Sequence, residues 1–369
     1  MSSIKKGGED RGLFTLADTN ALKGLAIILM FYHHLFAFPE RLPRGIKFEA
    51  LFEISGISSA YAVAAIGKIC VAIFVFLGGY GTYISCTRSS VREAVFKRAR
   101  VMYDSLWSVF IIFIPLCIAL DVKRVTEHYD DMLLNFLGLK TNYNREWWFF
   151  APYLILVLLI PLIKRLTDRC KSFVTGLAAV CIAAAFSEFL YPYLMQVSGL
   201  IEYEKNLIYI LVGNAAKILP GFLGGCVFAK FDLLTKIKGR LSGTVYSIGA
   251  LGALCAVICV RGLVGEDFDY LLVMLFVPLT TVALNNKAGD CVRGFLNIIG
   301  RESTNMWLMH SFFCFYVFPK LVYAPHYTPL IALWLFGLTF ATAKALTLFK
   351  SAVRILFCKA KEKIKTKKA

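Results

Sequence analysis

The sequence predicts an all-α fold: a polytopic integral membrane bundle of about ten transmembrane helices with both termini in the cytoplasm. Three observations predict it. The chain is 58% hydrophobic with a mean hydropathy of +0.65, against roughly half apolar for ordinary soluble domains. Apolar runs close to the ~20 residues needed to cross a hydrocarbon core recur along its length. Lys and Arg collect in alternate connections between those runs.

The candidate spans lie near 20–38, 60–86, 102–120, 147–163, 173–191, 207–229, 241–260, 269–286, 304–323 and 328–349. The first 19 residues are polar and the first apolar run has no small-residue cleavage site, so that run is expected to be retained as a span. Scattered glycines and the lack of strict alternation favour helices over barrel strands. Gly249 and Gly252 in "SIGALGALCA" suit close helix packing. The shortest run, 147–163, opens on Trp147 and Trp148, a pair typical of a membrane interface. Three parts follow: a polar N-terminus over 1–19, a membrane domain over 20–349, and a basic tail over 350–369.

A formal charge of +17 raises nucleic acid as a partner, and its distribution argues against it. With the N-terminus inside, the connections 1–19, 87–101, 164–172, 230–240, 287–303 and 350–369 hold 27 of the 41 Lys and Arg, and the outside connections hold nine. That bias follows the positive-inside rule, and the tail "KAKEKIKTKKA" suits an anionic leaflet. Membrane lipid is the expected partner of the basic charge, and nucleic acid is not. The eleven cysteines include no CxxC pair; they read as small apolar residues, and no metal is expected.

The first span, "NALKGLAIILMFYHHLFAF", carries Lys23, His33 and His34. Ionisable side chains are costly in hydrocarbon and commonly face a polar cavity or site. Eleven helical residues turn about 1100°, some 20° past three turns, so Lys23 and His34 share a face about 16 Å apart, with His33 a quarter-turn away. A histidine with an ordinary pKa of ~6.5 is suited to taking a proton from a hydroxyl. The alternative is that Lys23 snorkels to one interface and the histidines rest near the other.

The second span ends in "FVFLGGYGTYIS", where Gly78, Gly79 and Gly81 allow close approach by a helix or a ligand. The loop after it holds Arg88, Arg92, Lys97, Arg98 and Arg100. Lys97, Arg98 and Arg100 are the densest group and abut the third span. Their charge suits phosphates, although positive-inside charge alone also accounts for it.

These segments together resemble the membrane acyltransferase-3 family. "LKGLAIILMFYHH" is similar to its first-span signature of a basic residue and a histidine eleven positions apart. "FVFLGGYG" followed by "FKRAR" resembles its Phe-rich span end and loop arginine pair. "STNMWLMHSFF" resembles a late span, and "WWFFAPYLILVLLIPLI" its Trp-led middle span. Lys23 stands where the family has Arg, Gly78 where it has Ser, and Lys97 in place of the first loop arginine. Lysine keeps the charge but loses the bidentate fork.

The resemblance implies a polytopic protein of the plasma or inner cell membrane. Its implied activity moves an acyl group from cytoplasmic acyl-CoA, most simply acetyl-CoA, to a hydroxyl of a surface polysaccharide or lipid-linked glycan. It assigns His34 as general base or proton relay, Lys23 to the polar channel, His310 as a second polar group at the site, and Lys97, Arg98 and Arg100 to the CoA phosphates. Two competing expectations are a transporter or flippase with Lys23, Lys68, Lys217 and Lys344 along its path, and an inactive relative acting as a scaffold.

Overall fold

The computed structural model describes residues 13–54, 57–197 and 206–366, with only the backbone beyond Ala352. Residues 1–12 of the expected N-terminal segment and the side chains of most of the basic tail therefore lie outside the described residues. The helices of eight or more residues are α1 Leu16–Phe36, α2 Ser59–Gly67, α3 Cys70–Arg88, α4 Val91–Ala119, α5 Phe150–Leu158, α6 Ile160–Arg169 and α7 Phe173–Ala185. They continue as α8 Leu207–Lys230, α9 Leu233–Arg240, α10 Thr244–Val264, α11 Asp269–Ala283, α12 Lys287–Ser311 and α13 Thr328–Thr366. The sole sheet among the described residues pairs Glu53–Ile54 with Ile57–Ser58, so the protein is helical as the sequence predicts.

Among the described residues, six helical segments are long and apolar enough to cross a membrane, or eight spans if each of two bent pairs counts as one. The protein is thus a helical membrane protein. The sequence-based count of ten differs at identifiable places. α1 spans 21 residues, but Lys23, His33 and His34 dilute its apolarity and it is not among the six. The bent pairs are Arg145–Leu158 with Ile160–Arg169, turned by 59°, and Glu266–Ala283 with Lys287–Tyr316, turned by 119°. Pro161 opens α6, and a proline at a helix start prevents the preceding helix from running on unbroken.

Several basic connections are helix rather than loop. α4 begins at Val91, capped by the Ser90 hydroxyl on the Glu93 amide at 3.2 Å. α12 begins at Lys287, well before the apolar stretch at 304. Hydropathy marks where a helix becomes apolar, whereas capping side chains mark where it starts.

The core lies between α1, α3, α8 and α12, around Ile27, Phe31, Phe76, Phe222 and Phe312, all fully buried. α1 starts with a capping box: the Thr15 hydroxyl accepts from the Asp18 amide and the Asp18 carboxylate accepts from the Thr15 amide. That carboxylate also receives Lys238 of α9 at 2.8 Å and Arg293 of α12 at 3.3 Å. The helix therefore enters the bundle with its first turn fixed to two others.

Glycine sets how closely the central helices approach. A side chain on Gly24 would collide with the Leu296 carbonyl, and one on Gly300 with the Asn20 carbonyl, so α1 and α12 cross backbone to backbone. Gly79 against Phe222 and Gly225 against Phe76 do the same for α3 and α8. The glycines that the sequence singles out for packing behave otherwise: nothing lies within 4 Å of a Cβ built on Gly249 or Gly252. Those two satisfy a small-residue pattern but sit on an open face of α10.

Gly300→Val should push α1 and α12 apart and destabilise the protein by about 1–3 kcal/mol, the usual cost of overpacking. Gly249→Ala should be neutral. Unfolding midpoints in detergent compare the two, and equal midpoints would mean that the α1–α12 crossing tolerates a side chain.

Candidate functional site

Crossing at Gly24 and Gly300 lays the Lys23–His34 face of α1 beside the C-terminal half of α12. Between them and α3, α4 and α5 lies a cavity of about 160 Å³. Its polar lining is Lys23, His34, Arg98, Glu146, Tyr153, Ser303 and Thr304, and its apolar walls include Met30, Phe74, Met102, Phe149 and Trp307. Lys23 and His34 thus share one cavity, as their helical spacing predicts.

A second cavity of about 540 Å³ lies at the His34 end. It is lined by His33, His34, Arg41, Lys68, Arg145, Glu146, Lys217, Glu266, Asp267 and Asp269 together with Phe38, Trp148 and Tyr270. His34, Cys70, Val71, Glu146 and Trp148 belong to both linings. His34 and Glu146 therefore border both an apolar-sided cavity and a charged one.

Each histidine has a distinct setting. His33 places Nδ1 2.8 Å from the Ala64 carbonyl oxygen. A carbonyl only accepts, so Nδ1 donates and the ring is tied to α2. His310 is 0% exposed and places Nδ1 2.6 Å from the Trp307 carbonyl oxygen, leaving Nε2 buried without a partner. It lines neither cavity and sits behind His34 with ring centroids 4.9 Å apart. His34 retains 13% side-chain exposure, and its buried Nδ1 has no hydrogen-bond partner, Glu146 Oε2 lying 3.5 Å away. That distance is an ion-pair approach, longer than a good hydrogen bond.

The basic cluster of α4 divides. Arg98 enters the first cavity and donates from Nη1 to the Tyr153 hydroxyl at 2.9 Å, while its buried Nε has no partner. Lys97 and Arg100 are exposed and line neither cavity. The glycines of α3 explain how Arg98 fits. A Cβ on Gly81 would lie 2.8 Å from Arg98 Nη2, and one on Gly78 2.6 Å from Tyr153 Cε2. Gly79 packs helices, whereas Gly78 and Gly81 leave room for the Arg98–Tyr153 pair.

Among the described residues, no carboxylate forms an ion pair with Lys23 or Arg98. The other lysines proposed for a transport path are paired: Lys68 with Glu266, Lys217 with Asp267 at 3.4 Å and Lys344 with Glu302 at 3.0 Å. One group, His128 with Asp130 and Asp131, gathers potential metal-ligand atoms away from both cavities. Lys140 at 2.5 Å and Asn142 at 2.6 Å already occupy the Asp131 carboxylate. The Lys140 hydrogen bond, helped by Asn142, outweighs the opposing effect of burial and holds that carboxyl below its usual range.

Two functional candidates escape the sequence reading: Glu146 and Arg41, whose Nη1 lies 3.3 Å from Glu146 Oε1. The available signal is an opposite-charge pair in two connections assigned to the same side of the membrane. Trp147 needs correction as well. It is 0% exposed, with Nε1 donating to the Leu308 carbonyl at 2.8 Å, so it belongs to the core and not to an interface belt. A buried tryptophan whose N–H meets a carbonyl is stable in a bundle interior.

A helical membrane bundle with a cation-bearing cavity ending at a histidine defines the class of the protein. The acyltransferase-3 family model, described as an acyltransferase domain, matches residues 16–349, nearly the whole chain. The chain belongs to that family and is a membrane acyltransferase. No curated protein and no solved structure matches it.

Trp147→Ala should cost about 3–5 kcal/mol, as for a fully buried aromatic. Trp148→Ala, at a half-buried cavity wall, should cost less. Unfolding midpoints in detergent check the order, and equal midpoints would return Trp147 to a peripheral role.

Proposed function

We propose that the protein moves an acyl group, most simply acetyl, from acyl-CoA to a hydroxyl of a surface polysaccharide or lipid-linked glycan, at the plasma or inner cell membrane. The observation that carries this reading is the placement of Lys23, Arg98 and His34 on one cavity, with His34 in the wall shared with a second. Two cations without ion-pair partners suit an anionic donor, since a buried charge left unpaired is costly until a counter-charge arrives. The apolar walls between them and His34 suit the uncharged arm and acyl group of a thioester. The second cavity, rich in hydrogen-bonding groups, suits a polyhydroxylated acceptor. The positive-inside bias orients the Lys23 end to the cytoplasm.

In this mechanism the acceptor hydroxyl gives its proton to His34 as its oxygen bonds to the thioester carbonyl carbon. The carbon–sulfur bond then breaks, and the leaving thiolate takes the proton from the imidazolium. Lys23 and Arg98 hold the donor. Lys97 and Arg100, exposed on α4, add longer-range attraction for its phosphates. His310 packs against His34 and keeps the ring in place. Family membership and the paired states of Lys68, Lys217 and Lys344 favour transfer over transport.

Surface-glycan mass profiles test the reaction in cells that carry wild type, no protein or His34→Ala. An acyl mass increment should appear only with wild type, because removing a general base costs about 10²–10⁴-fold. An increment that survives in His34→Ala at equal protein level would remove the base assignment.

Arg98→Gln should raise the KM for acetyl-CoA by roughly 10-fold or more, the scale of a lost charged hydrogen bond. The Lys97→Gln, Arg100→Gln double variant should change it by only a few-fold, as exposed charges do. A larger effect from the exposed pair would place the phosphates on the surface of α4 and outside the cavity.

A further inference from the structure

Glu146 is the carboxylate common to the linings of both cavities. It is 6% exposed, and the turn that carries it is tied to α12 through Glu146, Trp147 and Asn144. The Glu146 amide donates to Asn144 Oδ1 at 3.0 Å, and its carbonyl accepts from Trp307 Nε1 at 2.9 Å. Asn144 Oδ1 also accepts from Ser311 Oγ at 2.9 Å. A turn held this firmly leaves the side chain little freedom. It directs one carboxylate oxygen at His34 Nδ1 and the other at Arg41, whose guanidinium lies 3.8 Å from the centre of the Phe38 ring.

We propose that Glu146 is a positioning residue for His34. Its carboxylate keeps the imidazole proton on Nδ1, leaves Nε2 as the nitrogen that takes the hydroxyl proton, and stabilises the imidazolium formed in that step. Arg41 in turn fixes the carboxylate. The inference rests on the reading of His34 as the base.

The physical warrant is the cost of burial. A buried carboxylate beside a neutral ring needs a counter-charge, and Arg41 supplies it in the resting state. When His34 becomes charged, Glu146 is the anion already in place, so little reorganisation accompanies the proton transfer. The 3.5 Å separation is the loose approach common before substrate binds, expected to tighten in the reacting complex. A purely structural ion pair between Glu146 and Arg41 would need no imidazole beside it.

The test uses the full chain in membranes, with acetyl-CoA as donor and, as acceptor, the glycan fraction that gains mass in the presence of the wild type. Glu146→Gln keeps the side-chain shape and removes the charge. Its kcat should fall roughly 10–100-fold, the scale for a group that orients a histidine. The KM for each substrate and the unfolding midpoint should stay near wild type, and Glu146→Asp should recover part of the rate. A wild-type kcat in Glu146→Gln overturns the proposal, as does a fall that follows the unfolding midpoint in parallel.

If Glu146→Gln does not fold, Arg41→Gln decides. A reduced kcat at unchanged KM supports the proposal, and an unchanged kcat overturns it. His34→Ala in the same assay separates the two levels. Activity retained there removes the base reading itself. Activity lost there but kept in Glu146→Gln removes only the role of Glu146.

Discussion

The backbone crossing of α1 and α12 is the constraint on which the rest of the site depends. Gly24 and Gly300 let the two helices meet without intervening side chains. That contact brings Ser303, Trp307 and His310 of α12 against the Lys23–His34 face of α1. The Asp18 carboxylate, gripped by Lys238 and Arg293, then fixes how far α1 slides along its partner. A helix held by close packing at one level and by buried ion pairs at another has one register open to it. Without a hydrophobic drive between helices in lipid, such contacts supply the specificity.

The buried charges of the bundle fall into two groups. Some are satisfied within the fold. Arg261 meets Asp269 with two hydrogen bonds, at 2.6 and 2.9 Å, and also donates to the Ala65 carbonyl. Glu302 takes Lys344 and the Thr347 hydroxyl. Among the described residues, Lys23 and Arg98 instead face a cavity without an ion-pair partner, and His34 Nδ1 lies there without a hydrogen-bond partner. Counting charge by connection cannot separate these groups. Arg261 counts as an outside charge and Lys238 as an inside one, yet both are buried in ion pairs.

Local geometry explains what is legible in the sequence. The fold class follows from apolar runs, and the shared face of Lys23 and His34 follows from helical geometry within one element. Arg98 is legible as charge, but its neighbours at 97 and 100 look equivalent until the room left by Gly78 and Gly81 selects it. Glu146 is not legible as a partner of Arg41, 105 residues away, because pairing between distant connections is set by tertiary packing. Trp147 misleads for the same reason. A tryptophan at the start of an apolar run reads as an interface residue, and only the Leu308 carbonyl opposite its indole shows it to be core. The π turn Phe312–Tyr316, directly after His310 and Ser311, is likewise invisible in hydropathy, although such turns often accompany functional positions.

On the proposed reading, two cavities that meet at His34 and Glu146 place different demands on a protein from one continuous path. A transported solute must pass its whole body through the narrowest point, so large apolar and charged side chains fixed there oppose it. A transfer reaction needs only the reacting atoms of two substrates to meet at that point. On the proposed reading, the same fixed wall is then an advantage. It holds the donor thioester on one side and the acceptor hydroxyl on the other, with one imidazole reaching both. The rigid attachment of the Glu146 turn to α12, costly for a gate that must open, is what such a wall needs. Preorganised groups that stay still during the reaction contribute more to its rate than groups that must move into place.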